Sequence, residues 1–324
     1  MTVPAPSAPS TPSAGSTPSA GSTPAAGSTP AAGSTPAAGS TPTAGSTPTA
    51  PSASSAPTAS ASTGARHELS ALLAIAQRDV TKLLRDRARL AVSLLFPLML
   101  IAGLGSVLQS TVGEVTGLDA VALAFTGVLP ATLFQSAAAG MISVVEDREN
   151  DFSRELFVAP VSRLTLVGGK VLGETCVAFV QAGGVVVFAV LFGVDLGTGQ
   201  LARLVLPCLA CALLGAAFGL ATVAALPNQR AAMQVFQFLI IPQYVLAGVL
   251  VPLRDLPTSL DVAAWAMPLR YAVGLTRETY YAGTDGYAQV VVAGAATDLA
   301  VVTGLFVVLL LAGAALFVHR ERTR

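Results

Sequence analysis

Charge is what this sequence has least of. Only 11% of its 324 residues are Asp, Glu, Lys or Arg, where soluble domains carry about 25%. The 18 basic and 18 acidic residues cancel, so net charge offers nothing to hold nucleic acid. Histidine is nearly missing: His67 and His319 stand in opposite tails, and no Ser/His/Asp set or metal-ligand cluster is visible. The three cysteines, Cys176, Cys208 and Cys211, all lie in apolar stretches, which excludes a disulfide framework. Cys208 and Cys211 spell C-x-x-C, but with no second pair they read as small residues on one helix face. A phosphate-binding loop is also missing. Gly168-Gly169-Lys170 runs into Val171 where a Ser or Thr would hold magnesium, and Leu164 stands where the first glycine belongs. The chain therefore has no evident catalytic residue, no metal site and no cofactor of its own.

What is there instead is apolar length. Hydrophobic residues make up 53% of the chain, and mean hydropathy is +0.68, which reads as an all-α integral membrane protein. Residues 1–65 stand apart. They carry no charge, and from Gly15 the hexad GSTP-x-A repeats six times. Gly, Ser, Thr, Pro and Ala cannot build a core, so a disordered tail is expected. With neither a basic start nor an apolar run it does not read as a signal peptide. Glu68–Leu90 is amphipathic, with Leu69, Leu72, Leu73, Ala76, Val80, Leu83 and Leu84 at helical spacing. Arg78, Lys82, Arg85 and Arg89 form the opposing stripe. Such a helix suits the headgroup layer.

Six spans are expected over 66–324, at about 90–108, 118–145, 171–194, 204–226, 231–253 and 296–318, each near the 20 or so residues a membrane requires. Fourteen of the Lys and Arg residues fall before span one, between spans two and three, after span four and after span six; four fall on the other side. By the positive-inside rule both termini are cytoplasmic and the chain is a multi-pass protein of the cytoplasmic membrane. An even number of spans agrees. Pro252–Gln289 is then external, and Trp265, Tyr271, Tyr280, Tyr281 and Tyr287 suggest one or two short helices lying at, or dipping into, the outer leaflet.

Polar groups inside spans are the candidate site residues. Glu174 stands four residues after Lys170, which predicts an ion pair that snorkels to water. Asp298 is expected near the outer boundary within reach of water. A proton-coupled carrier built on either acid is the alternative function. In span five Gln234, Gln237 and Tyr244 share a face within about 80° with Arg230, Ile241 and Gly248. With Gln135 of span two they line a substrate path or fill a dimer face. In span four Cys208, Cys211, Gly215, Gly219 and Thr222 form a seam suited to close helix packing.

The densest charge lies in the loop between spans two and three: Glu146, Asp147, Arg148, Glu149, Asp151, Arg154, Glu155, Arg163 and Lys170. Val145, Phe152 and Leu156 share one side at helical spacing, and Pro160 ends the helix. The run VVEDRENDFSRELFVAPVSRLTLVGGKVLGE resembles the corresponding loop of ABC type-2 transporter permeases, such as those of daunorubicin-resistance exporters. The match lies in Glu146-Asp147-Arg148-Glu149, Arg154-Glu155-Leu156, Ala159-Pro160, Ser162-Arg163 and Gly169-Lys170. Asn150-Asp151-Phe152 departs from the family's usual Gly-Thr-Leu. Met267-Pro268-Leu269-Arg270-Tyr271 resembles a second family segment before span six.

That resemblance implies the permease subunit of an ATP-driven exporter of hydrophobic or amphiphilic substrates. It implies a separate ABC ATPase subunit carrying ATP and magnesium, and a second permease, either another copy or a paralogue. Glu146, Asp147, Arg148, Glu149, Phe152, Arg154, Glu155, Leu156, Pro160 and Arg163 would be the loop on which the ATPase pushes.

Overall fold

Backbone polar groups in hydrocarbon have to find partners within their own segment, which favours helices. A computed structural model describes residues 61–110, 118–149, 163–250, 252–253 and 257–322, and these contain helices and no strand. Helix α1 (Ala61–Arg85) begins inside the stretch that composition assigns to the tail. It stops at Asp86, whose carboxylate accepts the Arg89 amide at 2.9 Å and so caps α2 (Arg87–Leu108). Asp119 caps α3 (Ala120–Gly140) in the same way. A bend at Met141 and Ile142 leads into α4 (Ser143–Glu149). The chain continues as α5 (Arg163–Leu191), α6 (Thr198–Ala224) and α7 (Gln229–Leu246). Three short helices follow, α8 (Thr258–Trp265), α9 (Pro268–Tyr281) and α10 (Tyr287–Val290), and then α11 (Ala295–Arg322).

Among the described residues, five segments are long and apolar enough to cross a membrane: Arg87–Leu108, Ala120–Glu146, Thr165–Leu191, Thr198–Ala224 and Ala295–Arg320. The span expected at 231–253 differs. Here α7 has 18 residues, about 27 Å at 1.5 Å per residue, against a hydrocarbon core of about 30 Å. Gln229, Arg230, Gln234, Gln237 and Gln243 lower its hydropathy. It ends early because Gly248, at φ +71°, turns the chain, and Ala247 to Val249 are buried beyond it.

Helix α3 is the centre, 72% of its span buried, against 18% for α2 and 17% for α11. It touches α2, α5, α6 and α9, while α11 packs on α6 and α1 on α5. Contact between α3 and α6 follows one register. Cys211 Sγ donates to the Pro130 carbonyl at 2.9 Å, 81 residues away. One turn on, Gly215 faces Phe134, and one further, Gly219 faces Ala138. The two helices therefore run the same way, and the expected small-residue seam lets their backbones meet. A Cβ on Gly219 would fall 2.4 Å from the Ala138 carbonyl oxygen.

The bundle has two unlike ends. At one, α3 finishes, α5 begins and Glu146 meets Gln229 of α7; this is the charged end. At the other, the expected short helices divide: α8 is largely exposed, whereas α9 dips into the bundle. Helix α9 is wedged against α3, α6 and α11, with Leu269, Thr276, Arg277, Tyr280 and Tyr281 buried. The Tyr280 ring meets Phe125 edge-on at 6.0 Å. This is the aromatic end.

The seam makes a test. Gly219→Ala forces backbone against backbone and should destabilise the protein by about 1–3 kcal/mol. Gly183→Ala, with nothing within 4 Å of the added carbon, should be neutral or gain up to about 1 kcal/mol of helix propensity. Thermal unfolding of the two variants in detergent measures the difference.

Candidate functional site

The charged end is organised by the way α1 docks on α5. Glu68 accepts a hydrogen bond from the Thr165 hydroxyl, 97 residues away. With the same offset Leu72 faces Gly169 and Ala76 faces Gly173, where an added Cβ would meet the α1 backbone at 3.3 and 3.2 Å. The helices thus run side by side in one direction, closely because glycine lines one of them. Leu69, Leu73 and Leu84 stay exposed on the other flank of α1. The apolar face seen in the sequence is therefore shared between protein and surroundings.

One turn beyond Ala76 the apolar contact gives way to charge. Lys170 Nζ lies 2.8 Å from Asp79 Oδ2 and 2.8 Å from Glu174 Oε1. All three residues are buried, at 5–6% exposure, and Arg78 adds a guanidinium 3.3 Å from the other Asp79 oxygen. Two acids and two bases make a neutral cluster. The expected Lys170–Glu174 pair is present, but it does not reach water: Asp79, from the opposing helix, closes it. On its far side Glu174 Oε2 lies over Gly140, where a Cβ would fall 1.7 Å from it. The cluster therefore joins α1, α5 and the end of α3. A buried charge is tolerated only with its partners in place.

Asp79 carries no signal in the basic stripe beside it. Its clue is position: with Leu72, Ala76 and Leu83 at helical spacing it is a lone acid on the apolar face. An acid there calls for a buried base, and Lys170, just before span three, supplies it.

Of the loop residues, Glu146 is exposed, and its carboxylate accepts a long hydrogen bond, 3.5 Å, from Gln229 at the start of α7. Asp147, Arg148 and Glu149 belong to α4, and Arg163 opens α5. Phe152, Arg154, Glu155, Leu156 and Pro160 lie outside the described residues.

The polar stripe of α7 divides. The Tyr244 hydroxyl donates to the Gln135 carbonyl oxygen of α3, so these two meet. Gln234 and Gln237 are exposed with Phe238 and Ile241, whereas Ala232, Phe236, Ile240 and Gln243 face the core. The stripe thus looks away from its own chain. Asp298 stands in the first turn of α11 but is 3% exposed. Contrary to the expectation of water nearby, Gly274 of α9 covers it. Among the described residues no group of three or more His, Cys, Asp or Glu is placed to hold a metal ion. Cys208 and Cys211 are free thiols in the α6 seam.

Removing the central base of the cluster strands two buried carboxylates. Lys170→Met should cost about 3–5 kcal/mol, and the double change Lys170→Met with Glu174→Leu should recover part of it. Melting in detergent across this pair of variants reads the coupling.

Compared with curated proteins, the chain has no match. Residues 70–281 match a family described as ABC-2 type transporter, and the match spans α1 to α9, taking in the charged cluster, the seam and the aromatic wedge. The chain belongs to the ABC-2 type transporter family.

Proposed function

We propose that this chain is the membrane-spanning permease subunit of an ATP-driven exporter in the cytoplasmic membrane, with both termini inside. It moves a hydrophobic or amphiphilic substrate, drug-like or lipid-like, outward. The family normally pairs with an ABC ATPase subunit, and that separate chain supplies ATP and magnesium. One observation carries the reading. The Asp79–Lys170–Glu174 cluster ties α1, α3 and α5 together at the end where residues 146–163 connect α3 to α5. A push on that connection moves three helices as one, and Glu146 against Gln229 adds α7.

The exposed glutamines of α7 support a second permease, another copy or a paralogue, across the stripe. Polar side chains facing hydrocarbon are costly, and a facing chain or an enclosed path between two chains removes that cost.

The test is export from cells making the chain with its ATPase. Glu149→Lys and Arg154→Glu should each lower export at least about tenfold, the effect of losing one charge-assisted contact. Yield of membrane-inserted protein should stay unchanged. An ATPase subunit should co-purify with the native chain and less with the variants. Export that survives ATP depletion and stops when the proton gradient collapses would sink this reading in favour of a proton-coupled carrier. Deleting residues 1–60 should leave export intact, as expected for a tail outside the transport machinery.

A further inference from the structure

The aromatic end holds a second set of charges that the proposed coupling does not use. A cavity of about 40 Å³ opens between α8, α9, the start of α11 and the turn after α7, lined by Trp265, Arg270, Tyr271, Gly274, Arg277 and Asp298 among others. That volume encloses only about three water-sized atoms, and the cavity is open on one side, so a larger polar group is held there with part of itself outside.

Its walls are fixed before anything enters. The Arg270 guanidinium sits 4.4 Å over the Trp265 ring, with Asp261 at 3.8 Å. The Tyr271 hydroxyl donates to the Trp265 carbonyl at 2.7 Å. Arg277 is 4% exposed, and its Nη2 donates to the Val249 carbonyl at 3.3 Å. Burial lowers its guanidinium to about 10, so it stays charged at neutral pH. Among the described residues no carboxylate forms an ion pair with it. Arg277 Nε, Arg270 Nη1 and Asp298 Oδ2 all lack a hydrogen-bond partner. Arg270 has Asp261 and Trp265 beside it and lacks only a hydrogen bond at Nη1, whereas Arg277 and Asp298 have no ion-pair partner among the described residues. Such buried charges are costly, and water alone leaves them uncompensated.

The signs identify what fits. A simple anion would satisfy the two guanidiniums but face Asp298; a simple cation would do the reverse. A small group carrying both signs satisfies all three. We propose that this cavity binds a phosphodiester bearing a primary amine, with its phosphate on Arg270 and Arg277 and its ammonium on Asp298. Guanidinium groups suit phosphate oxygens because their N–H donors form a planar fork. A primary ammonium donates hydrogen bonds to a carboxylate, which a quaternary one does not. Trp265, which lines the cavity, is exposed, as are Leu260 and Val262 on the same helix, an apolar surface suited to acyl chains. A membrane lipid headgroup is therefore the favoured source, and this inference does not depend on the coupling proposed above.

The experiment uses the full chain purified in detergent and given equal phosphatidylethanolamine, phosphatidylcholine and phosphatidylglycerol. Retained lipid is counted by native mass spectrometry. Phosphatidylethanolamine should be retained roughly tenfold over the other two, the effect of one charge-assisted hydrogen bond. Arg277→Gln should remove most of that retention. Asp298→Asn should abolish the preference over phosphatidylglycerol while the protein still elutes as a folded species. If Arg277→Gln does not fold, the Asp298→Asn preference decides. Displacement by soluble glycerophosphoethanolamine would make the free headgroup the ligand, and resistance to it would make the lipid the ligand. Equal retention of the three lipids, or a preference unchanged in Asp298→Asn, would overturn the proposal.

Discussion

A lysine buried between two carboxylates from different parts of the chain is the constraint from which the rest of this structure follows. Lys170 cannot leave Asp79 without exposing one charge or stranding another, and the same holds towards Glu174. Apolar helix contacts slide at small cost, but a buried ion cluster does not. The close approach of α1 to Gly169 and Gly173, and of Glu174 to Gly140, keeps the cluster out of water. Three helices meet there with little freedom to move separately. The small-residue seam then joins α3 to α6, so a displacement begun at the charged end would reach the centre of the bundle.

Much of this was legible in the sequence, and the parts that were not share one cause. Helices announce themselves by apolar length, and the spans around α2, α3, α5, α6 and α11 lie close to where hydropathy puts them. The seam of Cys208, Cys211, Gly215 and Gly219 was legible because small residues at i, i+3 and i+4 lie on one helix face whatever the partner. The i, i+4 spacing of Lys170 and Glu174 fixed their pairing in the same local way. Asp79 was only half legible: its place on the apolar face calls for a base, but the partner lies 91 residues away and nothing local names it. Asp298 was misplaced for the same reason: depth depends on what packs over a residue, here α9, which hydropathy reads as an external connection. The short α7 is the remaining difference. Its glutamines lower the hydropathy, and their purpose is visible only once the opposite face is seen to fill the core.

The two ends of the bundle use polar residues in opposite ways. At the charged end the cluster closes on itself: Asp79 and Glu174 are balanced by Lys170 and Arg78, and no ligand is required. At the aromatic end Arg277 and Asp298 are buried yet unmatched. A bundle that neutralises one set so completely and leaves the other open is organised to join its own helices at one end and to meet another molecule at the other.

The outward faces complete the argument. Helices α2 and α11 expose Val92, Leu95 and Met99 on one and Val307, Val308 and Leu311 on the other, surfaces at ease in hydrocarbon. Helix α7 presents Gln234 and Gln237 among its exposed apolar residues, and Phe96 of α2 meets its Tyr244 ring to ring at 6.1 Å. A second permease proposed to cover the glutamines would therefore also reach α2. It would stand beside the helix that begins where α1 ends, so the cluster and the facing surface would be linked through a single capped turn at Asp86. Motion imposed on α1 and α5 would then alter the contact between two chains, which is where a path for substrate would open.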